Sequence, residues 1–210
     1  AARATGLNGD DALAAAGIVP QTGVAIEVPP FAGIDPSEIA DATPVADALR
    51  QAISEASFTF APKLAIVVDG GGTLCLADMT ADLRLDAVLA DGGMAWRLSV
   101  GGDRQRAKPV ALLPQHRVLD GAMAVIAALA AIGPAARGRD LDVAALVQML
   151  GVTPMQAVPV PLSTHPLGAH RIGHEIVLGL APAYGQMHAD GLAALVEGLS
   201  ACGAVEFRLA

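Results

Sequence analysis

The pattern of apolar and polar residues predicts several helices in the first 150 positions. Apolar residues recur at helical spacing after the Thr43-Pro44 cap signal, which predicts a helix over about 44–57. A capping-box variant, with Pro at the first helical position, predicts a further helix start at Asp35–Glu38. Two longer apolar runs, divided by a Gly-Pro breaker, predict helices over about 117–131 and 140–150.

Shorter runs rich in branched residues predict a block of strands between these helices. Lys63–Asp69 is such a run and is followed by three glycines, which is typical of a buried strand that ends in a tight turn. Residues 82–89 and 95–100 predict a hairpin around Gly92-Gly93, closed by a second glycine pair at Gly101-Gly102. Helices and strands together indicate an α+β fold with a mixed sheet.

A proline-marked stretch between Pro154 and Pro166 predicts a domain boundary. After it, Glu175–Ala181 predicts a strand, His188–Ser200 an amphipathic helix and Ala204–Leu209 a second strand. The final 45 or so residues are therefore expected to form a β-α-β unit.

Composition and charge exclude several classes of function. The 210 residues are 53% hydrophobic with 3% aromatic residues, which is enough for a packed core but not for a base-stacking surface. The net charge of −8 argues against binding to nucleic acid or to an anionic membrane. The longest apolar run, residues 121–133, is too short to span a bilayer. Without signal-peptide features at its start, the chain is expected in the cytoplasm.

Cysteine and histidine spacing predicts no metal site in this chain. Cys75 and Cys202 lie far apart, whereas metal and cluster sites use closely spaced thiolates. His165, His170 and His174 share one predicted loop and could present two imidazoles to an ion, but no carboxylate or thiol ligand is interleaved with them.

Four stretches resemble the siroheme-type sulfite and nitrite reductase family, and within it the precorrin-3B synthases of cobalamin biosynthesis. They occur in the family's order and cover residues 25 to 210. They are Phe31–Asp35 with Ala42–Val45, Ala61–Ala65 running into Val67–Gly72, Trp96–Gly102, and Leu178–Gln186 with Glu206–Leu209.

This resemblance implies a division into three parts. Residues 1–24 would be the remnant of a preceding half-domain, 25–152 a cofactor domain of the nitrite/sulfite reductase type, and 153–210 a ferredoxin-like half-domain. The chain would then be an interior fragment, whose partners include the missing N- and C-terminal parts of the same protein. A half-domain without its partner leaves apolar surface uncovered, which also makes a homodimer possible.

The resemblance also implies a reaction and its cofactors. The intact protein would be an oxidoreductase that uses molecular oxygen to convert precorrin-3A to precorrin-3B, with a four-iron four-sulfur cluster as electron carrier. The cluster ligands are not in this chain, so the chain alone is expected to be inactive and to contribute tetrapyrrole binding. The sequence does not indicate the electron donor.

Site residues follow from the same resemblance. Lys63 matches the first lysine of the family's Lys-x-Lys pair, whereas Ala65 occupies the second position. Loss of that cation weakens oxyanion binding and therefore favours a tetrapyrrole substrate over sulfite or nitrite. Arg84 and Arg97 are predicted to bind tetrapyrrole carboxylates. Backbone at four glycines is predicted to approach the macrocycle, namely Gly71, Gly72, Gly101 and Gly102.

Two alternatives remain open at the level of the sequence. One is a fragment of a siroheme-dependent sulfite or nitrite reductase, against which Ala65 counts. The other is a non-catalytic binding or assembly module that keeps the fold without the cofactor.

Overall fold

A computed structural model of the protein describes residues 23–90, 92–155 and 165–208. Five strands form one sheet whose spatial order equals the chain order. The first three strands run parallel and the last two are antiparallel to their neighbours, so the sheet is mixed. The strands are β1 (Ala25–Glu27), β2 (Ala65–Asp69), β3 (Ala81–Ala90), β4 (Gly93–Gly102) and β5 (Lys108–Leu113).

Three helices belong to the same folded unit as this sheet. They are α1 (Thr43–Glu55), α2 (Val118–Ile132) and α3 (Val143–Leu150). Alternate strand residues such as Val68, Leu85 and Leu98 form one core with the apolar faces of the helices, and these three are fully buried. The helices therefore cover one face of the sheet and leave the opposite face to other groups.

The apolar character of α2 is explained by its position in the core. Together with the turn before it, the segment Gln115–Ile132 is long and apolar enough to cross a membrane by length and composition. However, Val125, Ile126 and Leu129 are buried in the core cluster. A core helix passes the same length and composition test, so this segment gives only weak support for a membrane span.

The three main helix predictions are confirmed within a few residues, but the predicted helix start at Asp35 is wrong. The side chain of Asp35 accepts hydrogen bonds from Ser37 N at 2.9 Å and from Thr73 N at 2.6 Å. It therefore closes a local turn and joins this turn to the glycine loop after β2, instead of capping a helix. The first helix begins at Thr43, whose N–H is bonded by Asp41 Oδ1 at 2.8 Å.

Strand β5, which includes Pro109, was not predicted. Proline removes a ladder donor and is tolerated only at a sheet edge or a bulge. Both conditions hold here, since β5 is the last strand of the sheet and Pro109 pairs with Ser99 where the register shifts.

The C-terminal part has a different order of elements from the predicted β-α-β unit. A hairpin of β6 (Gly168–Ile172) and β7 (Glu175–Gly179) precedes helix α4 (Ala189–Ala201). The predicted strand and helix correspond to β7 and α4, but β6 was interpreted as part of a loop. The predicted final strand is wrong for residues 204–208, which have no ladder partner in the described chain. Instead, Arg208 Nη1 donates to the carbonyl of Pro30 at 2.7 Å. The predicted domain boundaries stay predictions, and residues 1–22 lie outside the described part.

Candidate functional site

A charged cluster lies on the sheet face opposite the helices. Strand pairing places Asp69, Asp86 and Arg97 in one row across β2, β3 and β4, and Arg84 and Ser99 in the adjacent row. All five side chains are buried. Because successive strand residues point to opposite faces, the apolar neighbours of these residues build the core while the charged residues share the other side.

Asp86 is the centre of this charged cluster. Its carboxylate accepts from Arg84 Nη2 at 2.9 Å, from Arg97 Nη2 at 3.1 Å and from Arg104 Nε at 3.0 Å. Burial alone would raise the pKa of Asp86, but the three guanidinium groups outweigh it and hold the pKa below its usual value. Asp86 is therefore ionised within the protein, where it compensates buried positive charge.

Arg104 links Asp86 to a second buried carboxylate, that of Asp69. Its Nη2 lies 2.6 Å from Asp69 Oδ2. Burial lowers the pKa of Arg104, but Asp69 and Asp86 more than reverse this effect and raise it. Asp69 also accepts from Gly71 N at 2.8 Å and from Leu76 N at 2.7 Å. It thereby holds the loop after β2 against the charged cluster.

Arg84 closes this loop over the sheet. Its Nη1 donates to the carbonyl of Met79 at 2.6 Å and its Nη2 to that of Leu76 at 3.1 Å. The residue is 0% exposed. Arg97 is also buried, and its Nε has no hydrogen-bond partner. Both arginines thus lie inside the protein and form ion pairs with Asp86. Their role in substrate binding stays a prediction.

The predicted cofactor-binding glycines lie against other parts of the protein. Gly101 and Gly102 approach backbone, whereas the nearest groups to Gly71 and Gly72 are side chains. A Cβ at Gly101, where φ is +68°, would lie 2.5 Å from Arg139 N, and one at Gly102 would lie 2.7 Å from Ala107 N. In the loop after β2, a Cβ at Gly72 would lie 2.8 Å from a carboxylate oxygen of Asp35. These close approaches explain the glycines at 101 and 102 structurally, while their contact with a macrocycle stays a prediction.

Lys63 lies at the edge of the sheet where β2, β3 and β5 begin and β4 ends. It is exposed, two residues before β2. Two further exposed cations lie at this edge, since the Nζ of Lys108 donates to the carbonyl of Arg139 at 3.1 Å and Arg139 contacts the end of β4 at Gly101. We call Lys63, Lys108 and Arg139 the basic edge.

A buried aspartate organises the chain behind the basic edge. Asp82 accepts from Arg137 Nε at 2.8 Å, from Gly138 N at 2.8 Å and from Ala65 N at 3.0 Å. Burial raises the pKa of Asp82, but the contacts with Arg137, Gly138 and Ala65 outweigh this and lower it. Asp82 therefore joins the start of β2 to the short 3₁₀ turn Gly138–Asp140, which carries Arg139.

The histidines of the C-terminal hairpin make local contacts. His170 Nε2 lies 3.1 Å from the carbonyl of Pro166, and His165 Nδ1 accepts from Leu167 N at 3.2 Å. Within residues 23–90, 92–155 and 165–208, no group of three His, Cys, Asp or Glu side chains is placed to hold a metal ion.

The residues of this chain do not fit a four-iron four-sulfur cluster. Such a cluster is held by four thiolates, whereas the chain has only Cys75 and Cys202. Cys75 Sγ lies 3.6 Å from Nη1 of Arg104 inside the charged cluster, and Cys202 is exposed just after α4. A complete cluster therefore requires ligands from other polypeptide.

Comparison with known proteins finds a relative that matches nearly the whole chain. A precorrin-3B synthase from a Sinorhizobium species is 40% identical to this chain over 192 residues, which are 90% of this chain. This similarity confirms the predicted resemblance to precorrin-3B synthases. The chain spans 42% of the length of that relative, so the similarity concerns less than half of such a protein. No protein-family model matches the chain.

The fold is also found in a solved structure. The Mycobacterium tuberculosis NirA protein matches 85% of this chain and 37% of its own length, with a TM-score of 0.64 and 22% identity. At this identity the likeness concerns the fold alone. It confirms the predicted α+β class with a mixed sheet of the nitrite/sulfite reductase type.

Several residues of the site were not predicted. Arg84 and Arg97 were predicted as site residues from the sequence, whereas their partners Asp69, Asp86 and Arg104 were not. The available signal was the alternation Asp82-x-Arg84-x-Asp86, in which charged residues occupy every second position of an otherwise apolar strand. On a buried strand, this pattern indicates a compensated ion network rather than a solvated face.

Proposed function

We propose that the chain is part of an oxygen-dependent enzyme that converts precorrin-3A to precorrin-3B in cobalamin biosynthesis, and that it contributes tetrapyrrole binding. The observation that carries this proposal is the 40% identity to a precorrin-3B synthase over 90% of the chain. The likeness in fold to the NirA protein supports a nitrite/sulfite reductase type of scaffold.

The residue at position 65 supports a tetrapyrrole substrate. Ala65 stands where the resembling reductases have the second lysine of their Lys-x-Lys pair, and its N–H is bonded to Asp82 at 3.0 Å. An alanine next to a buried carboxylate offers no charge to sulfite or nitrite. Lys63, by contrast, is exposed beside this position and is available to a larger acidic ligand.

The cofactor and the location belong to the same proposal. The four-iron four-sulfur cluster of the full-length protein would take its thiolates outside this chain, because this chain has two cysteines. The chain alone would then be inactive. We propose a cytoplasmic location for the protein, with no nucleic-acid or membrane partner.

Additional polypeptide next to the C-terminal part is the expected protein partner. Large apolar side chains are exposed on the hairpin, on α4 and after it, including Ile176, Leu178, Leu192, Val205 and Phe207. Apolar surface of this extent is usually covered in the assembled protein. We propose that the remaining parts of the full-length protein cover it, with a second copy of the chain as the alternative.

Genetic complementation tests this function. The full-length gene is introduced into a strain that makes cobalamin aerobically but lacks its own precorrin-3B synthase, and cobalamin production is measured. We expect production to be restored, and to be lost again when the cluster-ligand cysteines outside this chain are replaced by serine. Failure to restore cobalamin, combined with reduction of sulfite or nitrite by the purified protein, would refute the proposal in favour of a siroheme reductase.

A further inference from the structure

We propose that the basic edge, formed by Lys63, Lys108 and Arg139, binds the carboxylate groups of the tetrapyrrole. This assignment rests on the proposed function. It replaces the buried Arg84 and Arg97 by exposed cations as the residues that bind the ligand's carboxylates. Lys108 and Arg139 become binding residues that were not predicted from the sequence.

The fold brings these cations together from distant parts of the chain. Lys108 and Arg139 are 31 residues apart, and a hydrogen bond of 3.1 Å joins the Nζ of Lys108 to the carbonyl oxygen of Arg139. Gly101 permits this arrangement, since a Cβ there would overlap the backbone of Arg139. The lysine keeps further N–H donors for an external acceptor.

The spacing across the sheet suits a ligand with several carboxylates. One row of paired residues crosses the sheet from β5 to β2, the strand that follows Lys63. Its members are Lys108, Val100, Leu83 and Ile66. Three interstrand spacings, about 14 Å, therefore separate Lys108 from Ile66, and Lys63 lies three residues before Ile66 in the chain. One carboxylate cannot bridge this distance, whereas a macrocycle with acidic groups around its rim can contact both ends.

Nearby carboxylates are occupied by contacts within the protein. Asp82 is buried, and its carboxylate accepts hydrogen bonds from Arg137 and from two backbone N–H groups. Asp140 Oδ2 accepts from Arg137 N at 2.9 Å, and Asp142 Oδ1 accepts from the first N–H groups of α3. The side chain of Arg139 is 78% exposed, and within the described residues its carboxylate contact is with Asp140, at 3.9 Å.

The buried arginines are already engaged and are less suited to this role. Arg84 and Arg97 compensate Asp86, and Arg84 also donates to two main-chain carbonyls. A ligand carboxylate would have to displace these bonds inside the fold, at a large desolvation cost. Binding at the basic edge requires no such rearrangement.

A binding titration of the whole 210-residue chain tests the assignment. The probe is uroporphyrin, a fluorescent, water-soluble tetrapyrrole fringed with carboxylates. The variants are Lys108→Gln, Arg139→Gln and the double variant, with Arg171→Gln as a control that removes an exposed cation from the hairpin. We expect each single substitution at the basic edge to weaken binding about two- to fivefold and the pair about tenfold, whereas the control retains the affinity of the unmodified chain. Added salt should reduce the difference, because exposed charges are screened.

The outcomes separate this assignment from the proposed function. If the unmodified chain binds uroporphyrin and the double variant binds it equally well, the basic edge is not the carboxylate site, although tetrapyrrole binding stands. If the unmodified chain does not bind uroporphyrin, both proposals fail. If the double variant loses affinity equally for uroporphyrin and for poly-L-glutamate, which the unmodified chain binds as tightly, the edge is a docking surface for acidic proteins and the ligand assignment is overturned.

Discussion

Replacement of Asp86 by Asn should severely destabilise the protein. The residue is 1% exposed and accepts hydrogen bonds from three arginines. After the substitution, Arg84, Arg97 and Arg104 would remain buried, with Asp69 as the remaining carboxylate of the cluster. Removing one partner of a buried ion pair typically costs about 3–5 kcal/mol, because it leaves uncompensated charge in a medium of low dielectric constant. This is a large fraction of the roughly 5–15 kcal/mol that stabilises a typical domain.

Urea unfolding followed by Trp96 fluorescence measures this loss directly. Trp96 is the only tryptophan, is fully buried and lies next to Arg97 on β4, so its emission reports on the sheet. The matched control is Asp47→Asn, which removes an ion pair with Arg50 on α1 where the Asp47 side chain is 65% exposed. We expect the control to change the free energy of unfolding by less than about 0.5 kcal/mol. An Asp86→Asn variant that unfolds at the same urea concentration as the control would refute the role of the charged cluster.

Three other substitutions test the structure around the site. Burial and neighbouring carboxylates raise the pKa of Glu38, so its contribution to stability is lost as pH rises through that pKa. Glu38→Gln should therefore flatten the fall in stability that urea titrations record as pH rises above 4.5, the usual value for glutamate. Gly101→Ala should lower the free energy of unfolding by at least about 1–2 kcal/mol, because of its positive φ and its contact with Arg139, while Gly92→Ala, with open space around it, should be nearly neutral. The pKa of Asp82 is lowered in the fold, so stability is lost as pH falls through that pKa. Asp82→Asn should reduce this loss of stability at acid pH. If stability falls with acid pH as steeply in the variant as in the unmodified protein, the contacts described for Asp82 are contradicted.

Local signals predicted most elements of the sheet and helices. The helix signals at Thr43-Pro44 and in the apolar runs of the core helices depend only on residues that are adjacent in sequence. The structure has helices at these positions. The Asp35 signal failed because the same side chain can cap a helix or close a turn, and a distant contact with Thr73 selects the turn. Strand β5 was missed because an edge position, which permits Pro109, is a property of the whole sheet.

The site could be predicted only in part, since its contacts join distant segments. The sequence shows that Arg84 and Arg97 lie on neighbouring strands, but not that Arg104 folds back from a loop to connect Asp69 with Asp86. Similarly, Lys108 and Arg139 meet only because the 3₁₀ turn packs on Gly101. Pairing register and loop packing decide which charges compensate each other, and neither can be obtained from local periodicity.

Conversion of precorrin-3A by the purified full-length protein is the most direct test of the proposed reaction. The protein, containing its cluster and supplied with an electron donor, is incubated with precorrin-3A under isotopically labelled molecular oxygen, and the product is analysed by mass spectrometry. We expect precorrin-3B that has gained one labelled oxygen atom, with no product when oxygen is excluded. Unchanged precorrin-3A in the presence of oxygen, with an intact cluster, would contradict the assignment.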